Sequence, residues 1–271
     1  MTTNFHFSTR DEAIQLLTPE DAFTQSWSQF DISSRLGKPH GAKQELLTFI
    51  SEQAKSWSQT DITLLTSVIE SINERMTSLG VTLSFPDSIP LVKTTMREEG
   101  GAMGYTRGNY IVLNEEIADK SEAYIEKLIV HELFHVLTRK NTDFKKSMYH
   151  LIGFSIINSI QFPETLKDLK ITNPDAPNID SCITLKIKEK QVPCTMILYA
   201  DKPYKGGRFF DYLQSGFLEL TPELKVNYNE RQPVIHTLKE VNNFFAQVGR
   251  NTKYIIHPEE ILADNFAYTI T

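Results

Sequence analysis

His131-Glu132-Leu133-Phe134-His135 sets two imidazoles four residues apart with a carboxylate between them. On an α-helix, residues i and i+4 share one face. Both rings can therefore reach one metal ion, with Glu132 beside them and directed at whatever the ion holds. The H-E-x-x-H spacing suits a zinc site in which the histidines are ligands and the glutamate takes a proton from a zinc-polarised water. With seven His in the chain, a chance match is on the order of one in a hundred. The surrounding segment, Ser121 to Arg139, reads as a helix with Ile125, Leu128, Ile129, Val130, Leu133, Phe134, Val136 and Leu137 apolar. Apolar residues on nearly all sides mark a buried helix. Asp119 and Glu122 predict a capping box at its start, and Arg139-Lys140 suits its C-terminal dipole. Burying two histidines and a glutamate without partners is costly, and a bound cation removes that cost.

A catalytic zinc takes three protein ligands and keeps one position open, so a further His, Asp or Glu is required. The segment His257-Pro258-Glu259-Glu260-Ile261-Leu262-Ala263-Asp264 supplies candidates. Pro258 suits a first helical position, and the acidic pair after it favours a helix N-terminus. Glu260 and Asp264 are four apart and share a face, with Ala263 and Ala267 giving a small-residue surface for close packing. Glu259 is the runner-up, because it has no Asp four residues on.

The Glu-x-x-x-Asp spacing together with H-E-x-x-H resembles the gluzincin group of zinc metallopeptidases, with a thermolysin-like zinc site of the kind found in uncharacterised bacterial zinc-peptidase-like chains. The resemblance implies that His131, His135 and Glu260 hold one Zn²⁺ per chain, that Asp264 accepts a hydrogen bond from the far nitrogen of a ligating histidine, and that Glu132 is the general base. It also implies an α+β fold with a zincin-like core: an active-site helix bearing the motif, a β-sheet with an edge strand along the cleft, and a mixed α/β insertion between the second histidine and the third ligand. About 125 residues separate His135 from Glu260, far more than is usual in gluzincins. Seven residues follow Asp264, so no C-terminal lobe is expected, and the stabiliser of the oxyanion has to come from elsewhere.

The inserted segment offers Tyr204 and Arg208, beside loop glycines in Tyr204-Lys205-Gly206-Gly207-Arg208, as oxyanion donors. Upstream, residues 91–113 predict strands joined by glycine-rich turns. Met103, Gly104 and Tyr105 are the candidates for an edge strand that pairs with extended substrate through unpaired backbone groups. Gly101-Ala102-Met103 is similar to the G-A-M-E-N element of gluzincin aminopeptidases, but Gly104-Tyr105 replaces its E-N. The glutamate that would grip a free amine is missing there, and an aminopeptidase is not implied.

The rest of the chain bounds the reading. Its 271 residues, 40% hydrophobic and 23% charged, suit a soluble globular protein with a sizeable core. A net charge of −6 gives no support to nucleic-acid or anionic-membrane binding. No apolar run reaches transmembrane length, and Met1 to Arg10 lacks a secretory apolar stretch, so a cytoplasmic location is expected. Cys182 and Cys194 flank a predicted β-hairpin, Ile183–Ile187 and Thr195–Tyr199. In the expected register Cys182 faces a residue near position 198, and both cysteines are read as free, packed thiols.

Residues 1–40 read as a polar, weakly patterned segment, and 41–271 as one zincin-like domain with an inserted subdomain at about 141–235. Helices are expected at 42–55, 61–79, near 144–160, and from His236 to Val248. His150, His236 and His257 are read as caps or solvated residues. The expected function is hydrolysis of a peptide or protein substrate by a zinc-activated water. A zinc-holding regulatory or interaction module without peptidase activity, or a non-peptide amide hydrolase, are the alternatives. Self-inhibition by the polar N-terminal segment would fit its composition.

Overall fold

The computed structural model describes residues 4–80 and 83–271, in an α+β fold. Its helices are α1 (Arg10–Leu17), α2 (Ala22–Gln25), α3 (Gln29–Leu36), α4 (Lys43–Gln53), α5 (Gln59–Ser78), α6 (Glu122–Lys140), α7 (Thr142–Leu151), α8 (Phe244–Val248) and α9 (Pro258–Ile270). Its strands begin with β1 (Phe5–Phe7), β2 (Ala54–Lys55), β3 (Ile89–Thr94), β4 (Gly104–Arg107), β5 (Tyr110–Asn114), β6 (Phe154–Ile156), β7 (Ser181–Ile187), β8 (Lys190–Ala200) and β9 (Leu213–Glu219). Two-residue strands follow: β10 (Tyr228–Asn229), β11 (Gln232–Pro233) and β12 (Ile235–His236).

The chain forms two compact units. Unit 1 takes residues 1–20, 42–145 and 263–271, and unit 2 takes residues 21–41 and 146–262. The polar N-terminal stretch of the sequence is thus shared between them. The division falls within α9, which is one continuous helix.

In unit 1, β1, β3, β5 and β4 lie side by side in that order, with β2 against β3. β1 and β5 run parallel to β3, while β4 returns antiparallel to β5 as an edge strand. α5 buries Leu65, Val68, Ile72 and Met76 at helical spacing against Ile125, Ile129, Leu133 and Val136 of α6 and against sheet residues Leu91, Ile111 and Leu113. Ser58 and Asp61 form a capping box at the start of α5, and Gly80 follows its end in the left-handed region. The expected helices at 42–55 and 61–79 correspond to α4 and α5.

Unit 2 is built on an antiparallel sheet in the order β12, β9, β8, β7, β6. Phe30 of α3 packs with Tyr204, Tyr212, Leu198 and Ala200 into a separate core. The β7–β8 hairpin turns through Lys188 and Glu189 alone, both at positive φ, as the two-residue turns compatible with strand twist require. That tight turn corrects the expected register: Cys194 lies opposite Ile183, next to Cys182, rather than Cys182 lying opposite residue 198. Both cysteines are buried and free.

Other expectations are corrected too. The helix expected near 144–160 stops at Leu151, because Gly153 takes a positive φ and β6 begins at Phe154. The helix expected from His236 is instead β12 followed by α8, since Asn243 is drawn to the edge of β7, where its Oδ1 accepts from Lys186 N at 2.6 Å. Residues 4–40 form β1 and three short helices, α1 to α3. Thr9–Glu12, Asp21–Thr24 and Ser28–Asp31 each form a reciprocal cap at a helix start.

Candidate metal centre

α6 carries the H-E-x-x-H motif through the middle of its length. Its N-cap is Ser121, whose side chain accepts from Tyr124 N, and not the expected Asp119, which lies in the preceding single turn. Isoleucine, leucine and valine side chains of α6 enter the core of unit 1. This fixes the rotation of the helix and sends the histidine face the other way. His131 and His135 then stand one turn apart, with ring centroids 4.9 Å from each other.

α9 brings the remaining groups. His257 Nδ1 accepts from Glu259 N at 3.1 Å, so this buried histidine caps the helix start, in line with one of its two expected roles. Ala267 and Ile270 anchor the helix in the core of unit 1, and Phe266 packs on Phe134 at a centroid distance of 5.6 Å. One ligand atom from each of His131, His135 and Glu260 lies within 4.8 Å of the others. His135 and Glu260 are wholly buried, while the His131 side chain keeps 12% of its exposure.

Asp264 Oδ1 is 3.1 Å from His131 Nδ1. A carboxylate can only accept, so Nδ1 carries the proton and the Nε2 lone pair is left for a cation. Two imidazoles and one carboxylate converging out of bulk water make a donor set suited to a borderline cation such as zinc. The residues present fit a divalent metal.

Glu132 is buried beside them and tied to the edge strand. Thr106 Oγ1, itself wholly buried on β4, donates to Glu132 Oε2 at 2.7 Å. A side chain at Gly104 would put its Cβ 3.1 Å from Glu132 Oε1 and 3.3 Å from Leu128 Cδ1. The missing side chain at Gly104 therefore makes room for the carboxylate. Of the other edge-strand candidates, Met103 packs on the core of unit 1 and Tyr105 is buried. Burial, reinforced by the nearby Glu98 charge, pushes the Tyr105 phenol well above its usual range.

In unit 2 the carboxylates that precede Asp264 on α9 have their own partners. Asn173 Nδ2 donates to Glu260 Oε1 at 2.6 Å, and Tyr149 OH donates to Glu259 Oε2 at 2.6 Å. Burial, then the Glu259 charge, holds the Tyr149 phenol far up, so it stays a donor. Tyr204 OH donates to Gly207 O at 2.8 Å, and Arg208 pairs with Asp211 at 2.7 Å. The heads of both proposed oxyanion donors are thus engaged within their own loop. His236, expected as a cap or solvated residue, instead meets Glu219 Oε2 at 2.7 Å.

Sequence reasoning overlooked Thr106 and Asn173. Thr106 gives a signal in retrospect, since a polar residue at an inward strand position needs a partner. Asn173 gives none, because it lies in a loop 87 residues from its partner.

A family model described as the eCIS core domain matches residues 92–143. The match runs from β3 through α6, and so includes Thr106 and the H-E-x-x-H motif; α9 lies outside it. It covers about a fifth of the chain. No curated protein and no solved structure matches the chain.

Proposed function

We propose that this chain is a zinc-dependent metallopeptidase of the gluzincin type, with a zincin-like core, that hydrolyses peptide bonds in a peptide or protein substrate. The observation that carries the reading is the convergence of His131 and His135 with Glu260, with Asp264 on His131 and Glu132 alongside. The match of residues 92–143 to the eCIS core domain, over the stretch that carries Thr106 and the H-E-x-x-H motif, is consistent with it.

When bound, zinc supplies a Lewis acid that makes water acidic near neutral pH and polarises a carbonyl. Glu132 accepts the proton released as water attacks the scissile carbonyl, and returns it to the leaving amine. Thr106 holds one oxygen of that carboxylate, so its other oxygen keeps a fixed direction while the proton is held. Asp264 keeps the proton of His131 on Nδ1 and orients the ring. β4 is the edge strand of its sheet, and an extended substrate would pair with its outer backbone groups short of Thr106 O, which already accepts from Arg139 Nη2 at 3.1 Å.

The test compares two variants by metal analysis and digestion of a broad peptide library. Glu132→Gln is expected to keep one equivalent of zinc and lose turnover, and His135→Ala to lose both. Peptide cleavage by pure Glu132→Gln at the wild-type rate would overturn the mechanism. A zinc-holding interaction module is the second reading, favoured by the engagement of Tyr204 and Arg208 within their own loop. One bound zinc with no peptide cleaved by the wild type would select it.

A further inference from the structure

We propose that Asn173 is a positioning residue of the metal centre, held in place by an ion pair of the N-terminal helix α3. This rests on Glu260 being a metal ligand, as read above, and extends that site to residues outside both sequence motifs.

The local geometry assigns each atom of the Asn173 amide. Its oxygen accepts from Asp175 N at 2.9 Å, and its nitrogen donates to Glu260 Oε1 at 2.6 Å. A backbone N–H needs an acceptor and a carboxylate needs a donor, so the amide can face only this way. One oxygen of Glu260 is thereby fixed, and with it the rotation of the carboxylate about its last, soft torsion. A ligand whose rotation is already fixed loses less freedom on taking up a cation.

Asn173 is itself rigidly mounted. Asp31 Oδ1 accepts from Thr172 N at 3.0 Å, and Arg35 Nη2 donates to Thr172 O at 3.1 Å. Both backbone groups of the preceding residue are therefore held by one ion pair, Asp31–Arg35, at 2.7 Å and almost wholly buried. Thr172 Oγ1 bonds Ser26 O, and Ser28 Oγ bonds Lys170 O at 2.6 Å, so the mounting spans three residues of the strand-like run before Asn173. The ion pair lies one turn apart on α3 and is bonded to backbone on both sides, the condition under which a buried pair is structurally sound. A solvated N-terminal segment would need none of this. The path runs from α3 to Thr172, from Thr172 to Asn173, and from Asn173 to Glu260.

Asn173→Asp separates this role from loop folding. The aspartate keeps the oxygen that accepts from Asp175 N, removes the donor to Glu260, and sets a like charge against it. Asn173→Ser, which removes the reach to Glu260 without adding charge, is the second variant should the first fail to fold. Zinc affinity is measured by competition with a chromophoric chelator, and the geometry of the site by the visible absorption of the cobalt-substituted protein. Apo thermal unfolding of each variant is recorded alongside.

Both variants are expected to bind zinc 10–100-fold more weakly than wild type, with an altered cobalt spectrum and an apo unfolding temperature close to wild type. Wild-type zinc affinity and an unchanged cobalt spectrum in a folded variant would overturn the positioning role while leaving the metal site standing. Failure of the wild-type protein to bind zinc or cobalt would overturn both readings.

Discussion

Asp264 faces His131 across 3.1 Å, one helical turn beyond Glu260 on the same helix. A single element therefore supplies both a candidate ligand and the group that orients another ligand. Asp264→Ala is expected to leave the fold intact and weaken zinc binding 10–100-fold. Asp264→Asn should do less harm, because the amide oxygen can still accept from Nδ1. Chelator competition on the two variants checks the order.

Thr106→Val removes the donor to Glu132 Oε2 with little change of shape. Burying an acceptor without its donor costs about 1–3 kcal/mol, so a lower chemical-denaturation midpoint is expected. Zinc content should be unchanged and peptide turnover reduced. Thr106→Ser, which keeps the hydroxyl, should recover most of the turnover.

Gly104→Ala places a methyl group 3.1 Å from Glu132 Oε1 and against Leu128 and Leu113. The carboxylate is the softest of these neighbours and is expected to move. The outcome is near-normal zinc binding with a fall in turnover well beyond any fall in stability. A crystal structure of the variant with zinc bound would show the displaced Glu132.

Asp61 caps α5 and receives Lys93 Nζ at 2.7 Å. Burial raises its pKa, but the bonds from Lys93 and Ser58 together outweigh burial and leave it below the usual aspartate value. A depressed folded-state pKa gives stability that is fully present above the unfolded value and is lost as pH falls through the folded one. Asp61→Asn is therefore expected to be less stable than wild type at neutral pH by about 1–3 kcal/mol. The gap should narrow below pH ~4, near and under the reference value for aspartate. Urea titrations at several pH values read this directly.

Burial pushes the Cys182 thiol up, and burial with the Glu219 charge pushes Cys194 higher still. Both are expected to react slowly with a disulfide reagent in the native protein and rapidly in denaturant, since the thiolate is the reactive form. Fast labelling of the native chain would show that these strands open readily.

The sequence spoke most clearly where chemistry and helical periodicity coincide. α6 was readable because its apolar residues and its two histidines fall on definable faces, and α9 because Pro258, Glu259 and Glu260 mark a helix start. The N-terminal helices were harder, since α1 and α3 are short and mostly polar. Their reciprocal caps, Thr9–Glu12 and Ser28–Asp31, were the available signal. The error in the Cys182 register came from expecting a longer turn than Lys188-Glu189, because neither residue advertises positive φ. The partners of Glu132 and Glu260 depend on pairings across 26 and 87 residues, which no local pattern encodes.

Synthesis runs from the N-terminus, and the mounting of Glu260 depends on that order. α3 is made first and can hold Thr172 only once residues beyond 170 have emerged, a closure across 141 positions. Asn173 must then wait a further 87 for Glu260. Contacts so far apart in sequence form slowly, because the loop between them has to close before it is rewarded. Between the emergence of His135 and that of Glu260, His131 and His135 would offer two ligands alone, too few to retain a cation firmly. With Glu260 as the proposed third ligand, firm metal loading would wait for α9 to emerge and dock.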